Sequence, residues 1–98
     1  MYIDTILTIS TAHISEETAE KLETEMCSFD MGLVVYAMDT HEACGWMVMV
    51  DSPADGDEEV PEELAALLNF CKENHIDWLR FDRDGEILPG FPVFDWKH

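Results

Sequence analysis

Two apolar segments set six residues apart restrict this fold more than anything else in the chain. Residues 33–38 (LVVYAM) and 45–50 (GWMVMV) are strand-length runs rich in β-branched and aromatic side chains. The six residues between them, 39–44, suffice for a hairpin loop and are too few for the crossover that parallel neighbours require. An antiparallel pair is expected. Both runs are apolar on both faces: Leu33 and Val35 oppose Val34, Tyr36 and Met38, and Trp46, Val48 and Val50 oppose Met47 and Met49. A sheet built on them needs cover on two sides.

Two helices are expected around that hairpin. Ser15 reads as an N-cap with Glu16 and Glu17 in the first turn, where the helix dipole favours negative charge. That helix runs to about residue 27, with Ala19, Leu22 and Met26 as its apolar stripe. Pro61 suits the first position of a second helix, whose core stripe is Leu64, Leu67, Leu68 and Cys71. Residues 2–10 form a first strand, with Ile3, Leu7 and Ile9 on one face, and residues 76–81 form another. After residue 81, the tetrad Asp82-Arg83-Asp84-Gly85 reads as a hairpin turn with Gly85 in a left-handed backbone, returning a short strand at 86–88. The tail 89–96 is extended by two prolines and carries three aromatics.

The order β-α-β-β-α-β, with a final short strand, defines the α+β class. The expected architecture is one domain, residues 1–98, of two layers: an antiparallel sheet with both helices on one face, ferredoxin-like in topology.

Charge narrows the function. The chain carries 22 Asp plus Glu against 5 Lys plus Arg, a formal net of −17. That excludes direct binding to nucleic acid or to an anionic membrane, both of which need positive surface. An apolar content of 47% is too high for a disordered acidic tail. No run is long enough to span a membrane, and no basic, apolar leader opens the sequence. Three cysteines without a CxxC pattern point to a reducing cytoplasm rather than a disulfide framework.

Chemical motifs are weak. Asp51, Asp55, Gly56, Glu59 and Glu62 fall at positions of a calcium loop, but Pro53 replaces a ligand, and a strand rather than a helix precedes it. A solvated acidic loop is the preferred reading. His41-x-x-Cys44 is one imperfect zinc pair, with Cys27, Cys71, His13 and His75 scattered elsewhere, so no metal and no cofactor is expected. No glycine-rich phosphate loop or framed nucleophile occurs, and the chain is read as non-enzymatic.

The acids themselves are the better candidates. Glu16, Glu17, Glu20, Glu23 and Glu25 cluster on the first helix, opposed by Lys21 alone; Asp55, Asp57, Glu58, Glu59, Glu62 and Glu63 cluster before the second. Glu16 and Glu20 stand about 6 Å apart along the helix axis. Phosphates along one DNA strand rise by about 3.4 Å each, so such a helix imitates that field coarsely. Tyr36, Trp46, Trp78, Phe91, Phe94 and Trp96 are the candidates for a partner or dimer interface, because two helices hide only one sheet face. The tail could instead fold back over that face.

The segments Ser10-Thr11-Ala12-His13, Val34-Val35-Tyr36, Gly45-Trp46 and the run 77–85 (DWLRFDRDG) resemble a family of small uncharacterised proteins of plasmids, prophages and conjugative elements. The resemblance implies a mobile-element accessory protein, akin to inhibitors of host defence of the anti-CRISPR or anti-restriction type. The leading expectation is thus an acidic inhibitor of a protein with a basic nucleic-acid-binding surface. The alternative is a dimeric housekeeping or ligand-binding module whose acidity only confers solubility.

Overall fold

The computed structural model describes residues 3–28, 30–39, 44–52, 56, 58–83 and 85–94. Its elements are β1 (Ile6–Ser10), a 3-10 turn (Thr11–His13), α1 (Glu16–Ser28), β2 (Val35–Asp39), β3 (Cys44–Met49), α2 (Glu62–Glu73) and β4 (Trp78–Asp82). Ser15 caps α1 as expected, its hydroxyl accepting from the Thr18 N–H at 3.2 Å. β2 and β3 form the antiparallel hairpin, with Val35 opposite Val48 and Ala37 opposite Trp46.

One four-stranded sheet results, in the order β1-β4-β3-β2. The two-layer α+β class holds, but the sheet is mixed and its order is not ferredoxin-like. β4 lies antiparallel to β3 and parallel to β1, Ile6 beside Trp78 and Ile9 beside Phe81. The parallel pair is set where the two strands start. The Thr5 carbonyl accepts from the N–H groups of Asp77 and Trp78, both at 3.0 Å, while the Asp77 carboxylate accepts from the Thr5 N–H at 2.9 Å. Three hydrogen bonds across 72 residues of sequence fix a direction that strand periodicity does not encode.

Alternation then sorts the side chains. Leu7, Ile9, Leu79, Phe81, Trp46, Val48 and Val35 share the inner face by register. Most are fully buried with Ala19 and Leu22 of α1 and Leu64, Leu67, Leu68 and Cys71 of α2 in one core. Each large side chain there contributes roughly 1.5–3 kcal/mol through burial.

No strand forms at residues 86–88 among the described residues; the Ser10 N–H instead donates to the Glu86 carbonyl at 2.9 Å. Gly85 is needed there for space. A Cβ at that position would lie 2.6 Å from the Ile9 carbonyl carbon and oxygen, so the chain crosses the end of β1 in backbone contact.

Buried His13 anchors the segment beyond Gly85. Its Nε2 accepts from the Leu88 N–H at 2.7 Å and its Nδ1 lies 2.9 Å from the Pro92 carbonyl. Only a ring protonated at Nδ1 satisfies both partners. Phe91 packs edge-on against Phe70 of α2, and the Phe94 N–H donates to the Ala12 carbonyl at 2.7 Å. The tail therefore docks on the helix side of the sheet. Its described residues do not cover the outer face, so they do not follow the alternative in which the tail folds back over it.

Candidate functional site

The acidic loop and α1 are drawn together by backbone and hydroxyl groups. The Glu58 N–H donates to the Asp30 carbonyl at 2.8 Å, and Gly56 passes so close that a Cβ would strike Asp30 and Gly32. Further along, Glu63 accepts from Ser15 Oγ at 3.2 Å and from Thr18 Oγ1. These contacts align the start of α2 with the start of α1.

Two adjoining surface grooves of about 310 and 280 Å³ line the seam. Glu17, Glu59, Glu62 and Glu63 line the first, and Glu17, Glu20, Asp30 and Glu58 the second. Among the described residues Lys21 is the one base in either wall. A groove lined by one sign of charge concentrates the field and attracts cationic groups from a distance.

The expected acidic set is thereby divided. Glu17, Glu20, Glu58, Glu59, Glu62 and Glu63 are brought to one seam. Glu16 is exposed on α1 and lines neither groove. Glu23 sits across the helix and accepts from the Trp46 indole N–H at 2.9 Å. Asp55 and Asp57 lie outside the described residues. Asp30 joins the site although nothing in its local sequence announces that residues 56–58 pack against it.

Glu25 is not a surface acid. It is 1% exposed, and its carboxyl group accepts from the Met31 N–H at 2.9 and 3.0 Å and from the Leu33 N–H at 2.8 Å. Gly32 between them has φ of 71°. Backbone N–H groups flanking such a residue converge into an anion-binding concavity, here filled by the chain's own carboxylate. A wheel reveals the signal: Glu25 is about two and a half turns from Glu16 and shares the face of Thr18 and Leu22.

Burial alone would raise the Glu63 carboxyl, but hydrogen bonds from Thr18, its own backbone and the Ser15 side chain and backbone outweigh it. The net effect holds Glu63 below the ordinary 4.5. A pKa depressed by folding contributes stability above the unfolded value that is lost as pH falls through the folded one. The stability gap between wild type and Glu63→Gln should therefore be flat above pH 4.5 and close below it. Denaturant titrations across that range check this, and a gap that stays constant into acid would contradict it.

The aromatic set also separates. Tyr36 and Trp78 lie on the outer sheet face, their ring centroids 5.9 Å apart. Trp46 is removed from the interface candidates: at 9% exposure it faces the core beneath α1, paired with Phe81 in register. Phe91 and Phe94 belong to the docked tail, and Trp96 lies outside the described residues.

Among the described residues no three His, Cys, Asp or Glu side chains converge as a metal site would require. His41, of the suspected zinc pair, and Asp55, of the calcium-loop register, are outside those residues. Cys27 is exposed; Cys71 is buried, and that burial pushes its thiol up to about 11, far from a reactive thiolate. No described helix is long and apolar enough to cross a membrane.

Comparison with known proteins then supplies the family. Residues 6–96 match the C-terminal domain of a family of unknown function, DUF5983. The chain belongs to that family. The DUF5983 match begins at the first residue of β1 and passes through every described strand and helix. It agrees with the resemblance to an uncharacterised family. No curated protein and no solved structure matches the chain.

Proposed function

We propose that this DUF5983 domain is a non-enzymatic acidic binding protein that occupies the basic nucleic-acid-binding surface of another protein. The observation that carries the reading is the convergence of two sequence-distant acidic clusters on one seam. Glu17 and Glu20 come from α1, Glu58 to Glu63 from the α2 approach, Asp30 from between, with Lys21 alone to offset them. A net charge of −17 also exceeds the magnitude of about 2–8 that solubility asks of a small domain. On this reading the carboxylates take the place of phosphates. The resemblance to proteins of mobile elements extends the proposal to inhibition of a host-defence protein, of the anti-CRISPR or anti-restriction type.

Complementary fields accelerate association and make it sensitive to ionic strength. Capture from a host lysate at about 0.15 M salt should retain nucleic-acid-binding proteins that added DNA or RNA displaces, and about 0.5 M salt should release them. Reversing Glu17, Glu20 and Glu58 together to lysine should weaken the captured complex by roughly 100-fold. Capture that survives high salt, added nucleic acid and the triple reversal would reject the proposal.

A further inference from the structure

We propose that the outer face of the sheet is the interface of a homodimer, in which two copies of this chain pack sheet against sheet. Register places Ile6, Trp78 and Met49 in one row across this face and Thr8, Arg80, Met47 and Tyr36 in the next. Ile6 is 48% exposed and Tyr36 55%. Both helices and the described part of the tail bind the opposite side of the sheet, so none of these covers this face.

Charge selects the occupant. Arg80 and Asp82 are the only charged side chains described on the outer face of these strands, and they cancel. On a chain of net −17, this is a neutral, apolar side. A basic partner is drawn to the acidic seam on the helix side, and nucleic acid and anionic lipid are repelled by the whole molecule. A second copy carries the same neutral face. Sheet-to-sheet packing also holds the two acidic seams on opposite ends of the dimer, where their repulsion is least.

The pair of Arg80 and Asp82 suits a two-fold axis. Arg80 and Asp82 are two residues apart on β4, an interior strand of the sheet, and within one chain their closest approach is a loose 3.5 Å. The Arg80 side chain is 31% exposed and that of Asp82 21%, so both can be reached from the outer side. An axis passing near Phe81 sets Arg80 of each copy over Asp82 of the other, the reciprocal arrangement an isologous interface requires. Aligned sheets pack about 10 Å apart, a distance these two side chains can bridge.

The inference is independent of the proposed function, and its salt dependence has the opposite sign. Screening weakens capture of a basic partner but relieves the repulsion between two −17 chains. Sedimentation equilibrium of the full chain should give twice the 11.2 kDa monomer mass at about 0.15 M salt, and a tighter dimer at about 0.5 M. Arg80→Asp and Asp82→Arg should each halve the mass, and an equimolar mixture of the two should restore it, because the mixed pair is complementary twice over. Tyr36→Glu, at an exposed position on an edge strand, should halve the mass without touching the ion pair. A wild-type chain that stays at 11.2 kDa in both salts, or a Tyr36→Glu chain that keeps the wild-type mass, overturns the interface. A mixture that stays monomeric while both variants keep the wild-type circular dichroism overturns the paired register.

Discussion

Replacing Glu25 with alanine should cost about 3 kcal/mol or more, out of the roughly 5–15 kcal/mol that holds a domain of this size together. The substitution leaves the N–H groups of Met31 and Leu33 buried with no acceptor, and each such orphan costs roughly 1–3 kcal/mol. For so small a domain the melting temperature should fall by roughly 12–24 °C. Chemical denaturation should show a lower midpoint at an unchanged slope. Glu25→Gln, which keeps one acceptor but turns an amide NH2 toward the same donors, should fall between the two. An alanine variant as stable as wild type would mean that this carboxyl group is not the clasp of the α1–β2 connection.

The second large effect is expected at His13. His13→Leu keeps most of the volume and removes both hydrogen bonds by which the tail is held, those to the Leu88 N–H and the Pro92 carbonyl. About 2 kcal/mol should be lost, and the loss should be local. Phe91 keeps its edge contact with Phe70, so the core should survive while the Leu88 and Phe94 amides lose their protection. Hydrogen exchange read residue by residue tests this. Uniform loss of protection over the whole sheet would instead make His13 a determinant of global stability.

Local periodicity and tertiary contact divide the remaining residues between them. The stripe Leu64, Leu67, Leu68 and Cys71 is buried as its spacing demands, because helical periodicity is a property of neighbours in the chain. The Ser15 cap and the hairpin of β2 and β3 are legible for the same reason. Glu25 is misread as one more surface acid because its letter matches Glu16 and Glu20, and only its phase on the helix differs. Trp46 is misassigned because strand alternation defines two faces without saying which of them the helices will cover.

The candidate seam divides in the same way. Its carboxylates are evident as two clusters in the sequence, and Asp30 is not. Meeting them required the Glu58 backbone to find the Asp30 carbonyl and Glu63 to find Ser15 and Thr18. Each is a contact between residues far apart in the chain. Helix phase, strand alternation, capping and net charge are set within a few residues, and the sequence by itself determined them. Only the tertiary structure decided that β4 enters the interior of the sheet parallel to β1, that the tail seats on His13, and that the helices and the described tail leave the outer face uncovered. Those outcomes depend on closing loops of tens of residues, where side-chain pattern is degenerate and a few specific hydrogen bonds, such as those between Thr5 and Asp77, select among otherwise equivalent pairings.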